Sequence, residues 1–300
     1  MARFLFWNVY KKDLTTQIVR LCHDYDVDVL ILAERGEVQD FHIEECLNKG
    51  QTRRYFQVTP AFDKISFFHR YLEKSFTPLF IEPQKISKMS VPNIRLSPPI
   101  GQDILIIALH LPSKMYRNEP TQAYIAGQIM DEIKFYESSL SHTRTLVVGD
   151  MNMNPFESGM AAFDCFHALM DKRKTLENER TSPTGEKSQF FYNPMWRLMG
   201  NSVQGPPGTY YYNKTDTVEF FWHTFDQVLV RPSLVPFFNE DSLKIIDSVN
   251  GTSLIDSKGR PDKKRFSDHL PLFFEIDIEK IEEGANHGKE KSLGGRRRNF

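Results

Sequence analysis

The apolar residues of this chain come in short, uninterrupted runs. Examples are Phe4-Leu5-Phe6-Trp7, Val29-Leu30-Ile31-Leu32-Ala33, Ile104-Leu105-Ile106-Ile107-Ala108-Leu109 and Thr145-Leu146-Val147-Val148. Runs of this length without polar alternation suit strands that are covered on both faces. Strands are expected at residues 3–7, 27–32, 55–58, 65–69, 79–81, 104–109, 145–148, 225–230, 243–246 and 270–276. Between them lie segments of helical period. Residues 13–25 put Leu14, Ile18, Leu21 and Cys22 on one stripe, with Asp13 placed to cap the amino end. Residues 39–47 form a second helix. Residues 121–140 form the longest, with Tyr124, Ile125, Ile129, Ile133 and Tyr136 near helical spacing. Strands and helices mixed in this way predict an α/β fold of packed sheets with helices outside. No internal repeat is present.

Three hundred residues are enough to bury a large core. A net charge of −1 gives no global basic field that would by itself announce a nucleic-acid partner, although a local basic groove is compatible with it. Cys22, Cys46 and Cys165 are odd in number, far apart and without CxxC spacing, so a reducing, cytoplasmic compartment is the simplest expectation. No run is long enough to span a membrane, and the first residues read as a strand rather than a signal peptide. Two regions differ in character. Residues 178–224 are rich in Gly, Pro, Asn and aromatics and read as a long insertion. Residues 279–300 read as a disordered charged tail.

The residues at the run ends carry the chemistry. Asn8 ends the first run, Glu34 the second and His110 the run 104–109. Asp150 and Asn152 follow the run 145–148 in Gly149-Asp150-Met151-Asn152. Asp226 begins the run 225–230, and Asp268 and His269 precede the last strand in Ser267-Asp268-His269. A rigid sheet holds groups at its strand ends in fixed positions. Cleavage of a phosphate ester needs a hard cation held by carboxylates, a group to orient or deprotonate water, and donors for the phosphate. Each residue also has an ordinary role. Asn8 can cap a turn, Asp150 and Asn152 can form an Asx-turn, His110 can be a satisfied core histidine, and Glu34 and Asp226 can face solvent. For the site to be absent, all of these ordinary roles must hold together.

In the order and type of these motifs, over roughly residues 1–278, the chain resembles the endonuclease/exonuclease/phosphatase superfamily, which includes deoxyribonuclease I and exonuclease III. The resemblance implies a four-layer α/β sandwich, two mixed sheets face to face with helices outside, and a site at one edge that uses Mg²⁺ or Mn²⁺. It implies that Glu34 holds the metal with Asn8 and Asp268 near it, and that Asp150 and Asn152 orient or activate the attacking water. It also implies that His269, oriented by Asp226, and His110 contact the scissile phosphate. The chain departs from exonuclease III and the abasic-site endonucleases in three places. It has His110 where they usually carry Tyr, Ala33-Glu34 in place of Gln-Glu, and Val9-Tyr10 after Asn8.

The expected function is a divalent-metal-dependent phosphoesterase, a nuclease acting on DNA or RNA, with nucleic acid as substrate and no obligate protein partner. A phosphatase or phosphodiesterase for a smaller ester is the alternative, followed by a catalytically dead binding module. Substrate signals are thinner. The basic segment 258–265 and Lys114 can attract phosphate or simply be solvated. The aromatics Tyr210, Tyr211, Tyr212, Phe220, Phe221 and Trp222 can stack bases or pack as a local core.

Overall fold

The structure is a computed structural model that describes residues 1–59, 64–79, 93–99, 101–114, 117–200, 205–213 and 219–281. Two large mixed sheets dominate. The first has the strand order Phe238–Ile245, Leu272–Ile276, Ala2–Asn8, Val29–Ala33, Ile65–His69, Phe56–Gln57. The second runs Phe76–Leu79, Asn93–Leu96, Ile104–His110, Thr145–Asp150, Asp226–Val230, Phe191–Tyr192, Ala168–Leu169.

The uninterrupted apolar runs have a direct physical cause. Successive side chains of a strand point to opposite faces, and here both faces are covered. Phe4, Phe6, Val29, Ile31, Ile106, Ala108, Val148, Val228 and Phe274 meet in a core between the sheets. Their neighbours Leu5, Trp7, Leu30 and Leu32 point outward onto Ile18, Leu21 and Cys22 of helix Thr15–Asp24 and Ile43 and Leu47 of helix Asp40–Asn48. On the far side Leu105, Ile107, Leu109, Val147 and Leu229 meet Ala126, Ile129, Met130 and Ile133 of helix Glu119–Ser139. This is the four-layer α/β sandwich, helix–sheet–sheet–helix. Each fully buried Leu, Ile or Phe contributes on the order of 1.5–3 kcal/mol from removal from water.

The Asp13 carboxylate accepts from the Thr15 amide at 3.1 Å, but the first helix begins two residues later than expected and its N-cap position is Leu14, which makes no side-chain cap bond. Asn118 accepts from the Thr121 amide at 3.1 Å, and Pro120 sits in the first turn, so the long helix starts at Glu119. Ile129, Ile133 and Tyr136 lie on its buried stripe, but Tyr124 is exposed.

The strand expected at 79–81 is Phe76–Leu79, because its backbone pairs with Asn93–Leu96; residues 80 and 81 lie outside the described ones. The strand expected at 243–246 starts earlier, at Phe238, and its register on Leu272–Ile276 shifts between Asn239 and Lys244. The segment 178–224 is less of an insertion than its composition suggests. Phe190, Phe191 and Tyr192 are buried, and Phe191–Tyr192 is a strand of the second sheet, between Asp226–Val230 and Ala168–Leu169. At the carboxy end, packing continues past 278, since Ile278 and Ile281 are buried. The rest of the expected tail, 282–300, lies outside the described residues. Among the described residues no helix is long and apolar enough to cross a membrane, and the three cysteines are free.

Candidate active site

Strand register brings the run-end residues together. Asp150 is aligned with His110 on one parallel neighbour and with Asp226 on the antiparallel neighbour, so three of the candidate residues form one row across the second sheet. On the first sheet, Asn8 is aligned with Ala33, which puts Glu34 one step beyond it. The strands Ile104–His110 and Thr145–Asp150 approach closely because position 149 has no side chain. A Cβ there would lie 2.0 Å from the Leu109 carbonyl oxygen. Glu34 and Asn152 both take left-handed backbone conformations, with φ of +53° and +49°. Such conformations are costly for non-glycine residues and concentrate at functional sites.

Asn8 joins the two sheets at the site. Its Nδ2 donates to Asp150 Oδ2 at 3.0 Å and to Glu34 Oε1 at 3.3 Å, and its Oδ1 accepts from the Tyr10 amide at 3.0 Å. His110 Nε2 lies 3.1 Å from Glu34 Oε1 and 3.9 Å from Asp150 Oδ2. The His110 contact is the main reason the Glu34 carboxyl is lowered to about 2, against an opposing effect of burial.

On the other side, His269 Nδ1 is 2.8 Å from Asp226 Oδ2, and its Nε2 is 3.8 Å from Asp150 Oδ2. Burial disfavours an imidazolium here, but Asp226 and then Asp150 outweigh it, and the His269 pKa is raised to about 10. Burial pushes the Asp150 carboxyl upward, with Asp226 adding to the rise and His269 opposing it. Burial likewise raises Asp268. Asp150 Oδ1 accepts from the Asn152 amide at 2.9 Å, while Asn152 Nδ2 donates to the Leu111 carbonyl at 2.8 Å. The side-chain donor of Asn152 is therefore held by backbone, and its main chain orients Asp150.

Asn8, Glu34, His110, Asp150, Asp226 and His269 are drawn together at this edge of the sandwich, Asn152 reaches it through its amide, and Asp268 acts on His269 through its charge. Lys114 is different: it forms an ion pair with Glu157. The basic segment 258–265 is partly self-paired, Arg260 with Asp256 and Arg265 with Asp262.

Several further residues support the site. The Trp7 indole donates to the His269 carbonyl at 2.9 Å. Ser267 Oγ donates to the Asn8 carbonyl at 2.6 Å and accepts from the His269 amide at 3.0 Å, tying the first strand to the last loop. Thr209 Oγ1 accepts from the Asp226 amide at 3.1 Å, and the Tyr210 ring lies 4.7 Å from His269. Ser267 stood inside a motif, so adjacency alone could have flagged it. Trp7 and Thr209 act over distances of sequence that no local pattern spans.

The donor set suits a hard cation. Carboxylate oxygens predominate, and Asp226 Oδ1 and Asp268 Oδ1 are sealed from solvent without a hydrogen-bond partner among the described residues. Ligand atoms of Asp150, Asp226 and His269 also lie within 4.8 Å of one another.

No family model and no curated protein matches the chain. Solved structures do. The 3' phosphatase NExo from Neisseria, bound to a product DNA hairpin, aligns over 92% of this chain and 100% of its own at 15% identity and a TM-score of 0.51. D. rerio TDP2 complexed with single strand DNA product aligns over 91% and 97% at 16% identity and a TM-score of 0.52. An endonuclease/exonuclease/phosphatase family protein from Leptotrichia buccalis C-1013-b aligns over 92% and 100% at 13% identity and a TM-score of 0.51. These matches run nearly end to end and share the two-sheet sandwich. The chain therefore has the fold of the endonuclease/exonuclease/phosphatase superfamily.

Proposed function

We propose that this protein is a divalent-metal-dependent phosphoesterase that hydrolyses phosphodiester bonds of nucleic acid. The observation that carries this reading is His269 set between Asp226 and Asp150, with Nδ1 of the histidine 2.8 Å from the first carboxylate and Nε2 3.8 Å from the second. The presence of DNA product in the NExo and TDP2 structures, which have the same fold, supports nucleic acid as the substrate.

Glu34 and Asp268, with Asn8 beside them, are the residues that would hold Mg²⁺ or Mn²⁺; when bound, the cation supplies charge neutralisation and polarisation of a phosphoryl oxygen. Asn8 Oδ1 is engaged by the Tyr10 amide, so its part here is to donate through Nδ2 and fix the carboxylates of Glu34 and Asp150.

Hydrolysis joins a water oxygen to phosphorus, breaks a P–O ester bond, takes one proton from the water and returns one to the leaving oxygen. Asp150 Oδ2 is the assigned acceptor of the water proton. It lies 3.8 Å from His269 Nε2 and 3.9 Å from His110 Nε2, too far for direct hydrogen bonds and suited to an intervening oxygen. Asn152 keeps Asp150 oriented through its amide. His269, held as an imidazolium by Asp226, donates from Nε2 to a phosphoryl oxygen, and His110 acts at the same phosphate from the Glu34 side.

The test is hydrolysis by the purified protein with Mg²⁺ or Mn²⁺ against EDTA, on single-stranded DNA, duplex DNA, RNA and a phosphoinositide panel, with Asp150→Asn as control. Metal-dependent cleavage of a polymer that the control abolishes is the expected result. Phosphate release from a small ester alone would move the protein to the phosphatase reading. Equal activity in the control would overturn the assignment.

A further inference from the structure

The loops that rise around the site differ in chemistry according to the sheet they come from. Above the first sheet they carry cations and one exposed ring, Tyr10, beneath Lys12. Lys11 and Lys12 follow the strand Ala2–Asn8, and Lys12 donates to the carbonyls of Lys263 and Lys264, which precede Asp268. Above the second sheet they carry rings. Phe156 follows the strand Thr145–Asp150, Phe220 precedes Asp226–Val230, and Trp196 follows Phe191–Tyr192.

These rings form one unbroken track that starts at the catalytic histidine. His269 meets Tyr210 at 4.7 Å, Tyr210 meets Phe225 at 5.3 Å, and Phe225 meets His223 at 4.8 Å. Phe220 stands edge-on to His223 at 6.3 Å and meets Phe156 at 5.3 Å, and Phe156 meets Trp196 at 6.3 Å. The inner part of the track is packed. The outer part is open to solvent, with Phe156 40% exposed and Phe220 55% exposed. Two adjacent exposed phenylalanines have no role in the core, and nothing in the hydrolytic chemistry uses them. Lys114, the lysine on this side, is held by Glu157 over the Phe225 ring, so this rim presents ring faces ahead of free charge.

We propose that Phe156 and Phe220 form a base-stacking subsite that selects single-stranded nucleic acid, with the phosphate backbone on the lysine side and unpaired bases on the aromatic side. The inference rests on the phosphoesterase reading and names the substrate class for that site. Every base has a π-face, so stacking on exposed rings is sequence-tolerant. Bases in a duplex are already stacked on one another, and reach these rings only once unpaired. A small phosphate ester without a ring gains nothing from this track.

The test is binding rather than turnover, so that it stands apart from the catalytic reading. Fluorescence anisotropy in EDTA compares oligothymidylate, oligouridylate, a strand of abasic spacers with the same number of phosphates, and a duplex of equal length. The wild-type protein should bind at least one base-bearing single strand roughly tenfold or more tightly than the abasic strand and the duplex. The preferred sugar identifies DNA or RNA as the source. The double variant Phe156→Ala, Phe220→Ala should fall to the abasic level with an unchanged thermal midpoint, while Phe156→Trp should retain binding. Equal binding of base-bearing and abasic strands, duplex binding as tight as single-strand binding, or an unaffected double variant would each overturn the proposal. Cleavage without base dependence would remove this inference alone. Base-dependent binding without metal-dependent cleavage would remove only the catalytic reading.

Discussion

Asp226 Oδ2 sits 2.8 Å from His269 Nδ1, although 43 residues separate them in the chain. The contact exists because Asp226 aligns with Asp150 on the next strand, while the His269 backbone is held by Trp7 and Ser267. It leaves Nε2 of His269 3.8 Å from Asp150 Oδ2, the position from which the proposed mechanism has it donate to a phosphoryl oxygen.

Removing that contact should cost activity without unfolding the protein. Asp226→Asn keeps the shape and loses the charge that favours the imidazolium. We expect kcat to fall by about 10²–10⁴-fold, with His269→Ala at least as severe. Steady-state kinetics alongside circular dichroism checks this. A variant within a few-fold of wild type would show that His269 does not act as a charged donor.

Cation binding should be separable from folding, because the core forms from apolar side chains between the sheets. Adding Mg²⁺ or Mn²⁺ to chelator-treated protein should raise the thermal midpoint, the linkage contribution being about 2.7 kcal/mol at a hundred times Kd. Glu34→Gln and Asp268→Asn should each lose most of that rise while remaining folded in EDTA. A full metal-induced rise in both variants would place the cation elsewhere.

Gly149 tests the close approach of the two central strands. A methyl group there meets the Leu109 carbonyl at 2.0 Å, and backbone on both sides leaves little room to yield. We expect Gly149→Ala to destabilise the fold by about 3 kcal/mol or more, read as a lowered urea midpoint. A midpoint within error of wild type would mean that the strands can separate cheaply.

His69 is 1% exposed, stacks on Phe76 at 4.1 Å, and has an Nδ1 sealed from solvent without a partner among the described residues. Burial lowers its pKa from 6.5 to about 4. The folded value lies below the unfolded one, so its stabilisation is complete above pH 6.5 and declines as the pH falls from there toward 4. The loss should reach roughly 2 kcal/mol by pH 5. Comparing urea midpoints at pH 7.5 and pH 5 for wild type and the non-titrating His69→Gln measures it. An identical pH dependence in both proteins would exclude His69 as the source.

Much of this protein was legible in its sequence because the relevant physics is local. Uninterrupted runs such as Ile104 to Leu109 mean strands covered on both faces, and that alone requires layers. Polar residues at the ends of those runs had to gather wherever the strand ends gathered. Helix starts were legible only to within two residues, since the first helix begins at Thr15 instead of 13 and the long one at Glu119 instead of 121.

What the sequence left open depended on contacts between distant segments. Composition made 178–224 look like an appendage, yet Phe191–Tyr192 is a sheet strand, because burial depends on a partner and not on nearby glycines and prolines. The fate of the aromatics was likewise undecidable: Tyr210 packs against His269, while Phe220 remains in solvent. The sequence by itself determined the layered α/β class and the residue types of the site, since period and hydrophobicity act along the chain. Only the tertiary structure decided that Asn8 would bridge Glu34 and Asp150, and that Lys114 would be taken by Glu157, because register and packing alone set which side chains come within hydrogen-bonding distance.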